Sequence, residues 1–223
     1  MDSWELLLAK ALACLDSART QGLTISEWTF GGGTALMCHF DHRFSRDIDI
    51  FVPDAAYLPY LSPRLNDAIA ARTDDYDEAA HYVKLRFAEG EIDFIVATTL
   101  TTPGFVEQTL AGQNVRLETP VEIAIKKAHY RAENLKPRDI FDLAVVLRER
   151  AEPLRAAAHL LADRRPVLLH RLSTLDQAYY RQALDELNVK PAWDFIKSAA
   201  WEVVTDFVKN IPTPAPSSSP PTP

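Results

Sequence analysis

The stretch "GGGTALMCHFDHRFSRDIDIF", Gly31–Phe51, decides how this chain folds. Three glycines lead into Thr34-Ala35-Leu36, which reads as a helix running to about Phe40. Arg43, Ser45, Asp47 and Asp49 then fall within seven positions. Asp47 to Val52 reads as a strand. Alternation puts Ile48 and Ile50 on one face and Asp47 and Asp49 on the other. Two carboxylates two residues apart stand about 7 Å from each other along the backbone. Anions that close repel, so a pKa rises or a cation lies between them. Mg2+ suits such a place, because it is hard and takes one or two carboxylates plus phosphate oxygens and water. Gly32 and Gly33 leave the N–H groups at the helix start open to phosphate oxygens. No Lys-Ser or Lys-Thr follows them, so the turn is not a P-loop.

Working outward, residues 3 to 18 carry Leu7, Leu8, Ala11, Leu12 and Leu15 at helical spacing, and residues 24 to 30 read as a short strand. Ser62-Pro63 suggests the cap and first turn of a helix to about Arg72, followed by an acidic loop at Asp74–Glu78. His81–Ala88 and Glu91–Ala97 form a hairpin pattern joined at Glu89-Gly90, and Val115–Leu117 allows one more short strand. Asp93 interrupts the otherwise apolar "EIDFIV". If that strand pairs with the first, Asp93 joins Asp47 and Asp49. Polar strand positions facing water remain the alternative for all three.

From Thr119 the pattern turns helical. Thr119-Pro120-Val121-Glu122 reads as a capped start of a helix to about Asn134, and Pro137 opens another with Ile140, Leu143, Ala144 and Leu147 on one face. Further helices are expected over 152–163, 166–172, 174–188 and 191–209. The organisation expected is a mixed core at 1–118, a helical domain at 119–210 and a Pro/Ser-rich tail at 211–223 that cannot bury apolar area. The fold class is therefore α+β, a small mixed sheet flanked by helices followed by an α-helical bundle.

Composition narrows the function classes. The net charge of -7 argues against a general nucleic-acid coat, yet Lys126–Arg171 holds eleven Lys or Arg against six Asp or Glu. Cys14 and Cys38 have no metal or disulfide spacing and read as reduced core thiols. No apolar run is long enough for a membrane span, and the N-terminal residues lack a signal-peptide pattern, so a cytoplasmic protein is expected.

The glycine turn, the short helix and the Asp-Ile-Asp strand resemble the nucleotidyltransferases of the DNA polymerase beta superfamily. More narrowly, Gly32, Gly33, Thr34, Ala35 and Leu36, followed by Arg43, Ser45, Asp47 and Asp49, resemble the AbiEii/AbiGii-type nucleotidyltransferase toxins. A second motif agrees: Glu122 and Lys126, then Arg138, Asp139 and Asp142, with Lys127 as a second candidate for the lysine. The resemblance covers about residues 28 to 147. It implies a polymerase-beta-like core and transfer of a nucleoside monophosphate from a nucleoside triphosphate to a hydroxyl. It implies one or two Mg2+ on Asp47, Asp49 and Asp93. It places phosphates at Gly32, Gly33, Thr34, Arg43 and Ser45, and assigns Lys126, Arg138, Asp139 and Asp142 to binding or orienting the nucleotide. An RNA 3′ end, with tRNA foremost, is the implied acceptor, and a cognate antitoxin the implied partner. A small-molecule acceptor of aminoglycoside type, a protein hydroxyl, and a catalytically silent binding module are the alternatives.

Overall fold

The computed structural model describes residues 3–213; residues 214–223 of the expected tail lie outside them. The chain forms two compact units, Met1–Ile123 with Asn188–Asp194, and Ala124–Leu187 with Phe195–Pro223.

In the first unit, seven strands form one mixed sheet among the described residues: β1 (Thr29–Gly31), β2 (Ile48–Val52), β3 (Tyr76–Ala79), β4 (Tyr82–Phe87), β5 (Gly90–Val96), β6 (Phe105–Leu110) and β7 (Gln113–Glu118). Their order is β3-β4-β5-β2-β1-β7-β6. The β2/β5 and β1/β7 pairs are parallel; the others are antiparallel. Phe30, Ile48, Ile50, Ile92, Phe94 and Leu117 lie fully buried on one face. Each contributes roughly 1.5–3 kcal/mol of burial. Helix α1 (Ser3–Ser17) packs its Leu7, Leu8, Ala11 and Leu15 stripe across β2 and β5, and α2 (Gly32–Phe40) packs on β1 and β2. The alternate positions of these strands carry Asp49, Phe51, Lys84, Asp93 and Arg116, all incompletely buried. The sheet thus has an oily face under helices and, opposite it, a face with several polar side chains.

Several expectations change at the level of elements. The strand expected over 24–30 is only Thr29–Gly31, and β2 begins at Ile48, one residue after Asp47. Ser62 closes α3 (Leu58–Leu61) instead of opening a helix to Arg72. Asn66, whose side chain accepts from the Ala68 N–H, caps the short α4 (Asp67–Ala70). The acidic loop is partly β3, an edge strand paired with β4. The hairpin β6–β7, turning at Ala111 and Gly112, was expected only as a single short strand.

The second unit is helical. Helix α5 (Pro120–Tyr130) contains the division between the units; it ends short of Asn134, where a 3-10 turn, Ala132–Asn134, takes over. There follow α6 (Pro137–Glu149), α7 (Ala151–Ala157), α8 (Arg165–Thr174), α9 (Gln177–Asp185) and α10 (Ile196–Lys209). Helix α6 packs against α7, α9 and α10, and ten of its positions are buried, including Asp139 and Asp142. The α+β core with a C-terminal helical bundle is thus the fold observed. Among the described residues no helix is long and apolar enough to cross a membrane. Both cysteines are free thiols, and burial pushes each up to about 11.

Candidate active site

The first motif is knitted together by short contacts. Gly31 is the N-cap of α2, and Gly32 follows at φ +74°, a conformation that favours glycine. A side chain at Gly32 would collide with the Asp49 carboxylate, so the glycine makes room for the acid. A Cβ at Gly33 would stand 2.7 Å from the Arg43 guanidinium and 3.1 Å from Ser45 Oγ. Thr34 is fully buried; its hydroxyl donates to the Asp47 carbonyl at 2.6 Å and shares a hydrogen bond with Ser45 Oγ at 3.0 Å. Arg43 is buried and forms a bridge with Val189. Thr34, Arg43 and Ser45 therefore hold the glycine turn against the start of β2. Of the residues expected at the phosphates, Gly32 and Gly33 have only backbone to offer, at the N-terminus of α2, where N–H groups attract anions.

Asp49 pairs with Gly31 on one side and with Asp93 on the other, so the two acids sit side by side on parallel strands. Asp47 is not on the strand: its Oδ1 accepts from the Glu91 backbone N–H at 3.1 Å. Asp93 is the electrostatically loaded member. Burial, and then the Asp49 charge, push its carboxyl up to about 6. Lys84, opposite Asp93 on β4, donates to Asp93 Oδ2 at 2.9 Å and to Glu91 Oε2 at 2.6 Å. Its Nζ also lies 2.9 Å from Asp93 Oδ1, but that buried oxygen receives no properly directed hydrogen bond. Burial acts to lower the Lys84 pKa, while Glu91 and Asp93 outweigh it and raise it.

Lys84 was missed in the sequence because its role depends on hairpin register; the alternation Tyr82, Lys84, Arg86 opposite Ile95, Asp93, Glu91 was the available signal. Among the described residues no group of three or more His, Cys, Asp and Glu side chains is arranged to hold a metal. The pair Asp49 and Asp93 nonetheless fits a hard cation. Both are oxygen donors, they repel each other, and Asp93 keeps a buried oxygen short of a hydrogen bond.

The second motif builds a different structure. Glu122 is fully buried and holds the loop after β5, accepting from the backbone N–H groups of Leu100 and Thr101 and from the Thr101 hydroxyl at 2.7 Å. Lys126 is 4 % exposed. An ion cluster forms on Lys127, the second lysine candidate: its Nζ is 3.0 Å from both Asp139 Oδ1 and Asp142 Oδ2. Arg131 reaches Asp139 Oδ1 at 3.0 Å, and the Lys136 backbone N–H donates to Oδ2 at 3.1 Å. Burial acts to raise the Asp139 pKa, but Lys127 and Arg131 outweigh it and hold the carboxyl below its usual range. Both aspartates are 0 % exposed, whereas Arg138 is exposed.

Residues 15–207 match a family model described as nucleotidyl transferase AbiEii toxin of type IV toxin–antitoxin systems. No curated protein sequence matches the chain. Among solved structures it resembles MenT4, a nucleotidyltransferase toxin from Mycobacterium tuberculosis, with a TM-score of 0.54 at 15 % identity over 93 % of this chain and 85 % of that one. It also resembles the antibiotic-resistance factor ANT(2'')-Ia, with a TM-score of 0.53 at 16 % identity over 78 % of this chain and 100 % of the other. At such identities these two likenesses establish a shared fold.

Proposed function

The chain belongs to the AbiEii nucleotidyltransferase toxin family, within the polymerase-beta-like superfamily, and on that premise we propose that it transfers a nucleoside monophosphate to the 3′ hydroxyl of an RNA, tRNA foremost. Family membership implies a nucleoside triphosphate substrate, metal-dependent transfer and an antitoxin partner. The observation that carries the reading is the pair Asp49 and Asp93 on neighbouring parallel strands, with the Gly32 turn against Asp49.

Asp49 and Asp93 would hold Mg2+, which would supply neutralisation of charge on the attacking and leaving oxygens; Asp47, whose Oδ1 accepts from the Glu91 N–H, is the third ligand that the family resemblance implies. The backbone N–H groups at Gly32 and Gly33 bind the triphosphate. Asp93 would help activate the acceptor hydroxyl, as a metal ligand or as the base that takes its proton. The acceptor oxygen bonds to the α-phosphorus, the bond from that phosphorus to the β-phosphate oxygen breaks, and pyrophosphate leaves. Lys84 orients Asp93 throughout. Positioning and charge provide most of the acceleration in such reactions.

Purified protein with Mg2+, labelled triphosphates and total RNA is expected to label a small RNA and release pyrophosphate; Asp49→Ala abolishes both. Label in an aminoglycoside or a partner protein, with none in RNA, refutes the RNA acceptor. Triphosphate binding with no transfer to any acceptor refutes catalysis.

A further inference from the structure

The polar face of the sheet does not end at the carboxylates. Phe51 lies two residues along β2 from Asp49, on the same face and about 7 Å away by strand rise. It borders a cavity of about 300 Å³ whose walls include Trp28, Pro53, Thr99, Phe105 and Arg116. The register explains why these residues meet. Thr29 pairs with Phe51 across β1 and β2, and Phe30 with Leu117 across β1 and β7, which brings Arg116 to the face of Thr29. Glu107 opposite Arg116 and Phe105 opposite Glu118 extend the same face onto β6. Trp28, Phe51, Phe105 and Arg116 are all half-buried, so each shows part of its surface.

The chemistry of the walls is specific. The Arg116 guanidinium lies 5.3 Å from the centre of the Phe105 ring, and its Nη1 donates to the Ser26 carbonyl at 2.7 Å. A planar cation fixed on an aromatic ring, beside two more aromatic side chains, offers flat surfaces to a flat, electron-rich guest. Nucleobases stack on such surfaces irrespective of sequence. Glu27 also lines the cavity and Glu107 Oε1 lies 3.9 Å from Arg116 Nε, so the flat stacking surfaces, not net charge, select the guest. One nucleotide of an extended single strand spans the interval from Asp49 to Phe51.

We propose that this cavity is a stacking subsite for a base of a single-stranded RNA acceptor, the base next to the 3′ nucleotide whose hydroxyl reacts at Asp49 and Asp93. The proposal rests on the RNA-transfer reading above. The subsite holds the strand in line while the 3′ hydroxyl is delivered to the carboxylates, and its indifference to base identity leaves sequence choice to other contacts. Triphosphate binding at the glycine turn does not depend on it.

The test uses the full chain and a fluorescein-labelled single-stranded RNA hexamer with a free 3′ hydroxyl. Affinity is read by fluorescence anisotropy, and triphosphate affinity and melting temperature are read on the same preparations. Trp28→Ala and Phe105→Ala are expected to weaken RNA binding roughly 5- to 150-fold, the span of lost base stacking. Trp28→Phe, which keeps a ring, stays within a few-fold of the parent, and triphosphate affinity is unchanged in all three. If an alanine variant fails to fold, Arg116→Gln carries the same expectation of weakened RNA binding. Alanine variants that bind the hexamer as the parent does overturn the subsite while leaving transfer intact. A parent that binds triphosphate but not the hexamer also overturns it. A parent that binds the hexamer through Trp28 yet transfers no nucleotide upholds the subsite and refutes the transfer reading instead.

Discussion

Each of the two units sets a pair of aspartates beside a lysine, and the electrostatic outcomes are opposite. In the helical unit, Lys127 and Arg131 balance Asp139 and Asp142, and Asp139 is held ionised below its usual range. In the sheet unit, Lys84 is shared between Asp93 and Glu91, and Asp49 adds another negative charge. Asp93 is therefore raised, with one buried oxygen short of a hydrogen bond. The same residue types make a charge-balanced ion cluster in one place and, in the other, a site with a raised carboxyl. Depth and cation count decide which. The helical pair is sealed with its own cations, while side-chain exposures of 21 % for Asp93 and 23 % for Lys84 leave the sheet site reachable.

The largest effect that sharpens this contrast is on activity. Asp49→Ala is expected to lower nucleotide transfer roughly a thousand-fold or more, with no loss of melting temperature. A variant that keeps even a tenth of the rate would remove Asp49 from the chemistry. The helical unit should respond the other way. Lys127→Met leaves two buried carboxylates without their shared cation and is expected to destabilise by about 3–5 kcal/mol in urea titration. A stability within 1 kcal/mol of the parent, by that order-of-magnitude measure, would show the cluster to be dispensable.

The pH dependences separate the two groups by sign. Asp93 binds its proton more tightly folded than unfolded, so its ionisation weakens the metal-free fold as pH rises from about 4 to about 6. A rise from 3.8 to about 6 corresponds to roughly 3 kcal/mol as an upper figure, and Asp93→Asn should flatten that slope. Asp139 is lowered, so its contribution is present above the unfolded value of 3.8 and disappears as pH falls through its folded value below that. Urea midpoints across this pH range, with each Asp→Asn variant, distinguish the two. The smallest effect is local: Lys84→Met removes the charge that opposes burial at Asp93, and the Asp93 titration seen by carbon-13 NMR moves further up.

Much of this architecture could be read from residue pattern. Asp49 beside Asp93 was legible as a condition, from an alternating strand and an interrupted apolar one, provided that the two strands paired, which they do. The glycine turn was legible as well, though not that Gly32 yields its space to Asp49 instead of only to a ligand. Strand β3 hid in "YDEA", because an edge strand with one partner tolerates acidic residues of low β propensity. Strand β6 hid for the same reason, with Glu107, Gln108 and Thr109 all exposed. Lys84 beside Asp93 and the ion cluster on Lys127 depend on register and helix phase, which single positions do not reveal. The start of β2 at Ile48 was also beyond pattern, since only the Glu91 N–H contact shows that Asp47 has left the ladder.

The most direct test of the contrast is a Mn2+ titration followed by electron paramagnetic resonance on the metal-free full chain. The account predicts saturable binding that is lost in Asp49→Ala and in Asp93→Ala and retained in Asp142→Asn. No saturable binding, or binding that survives both changes in the sheet unit, would contradict it.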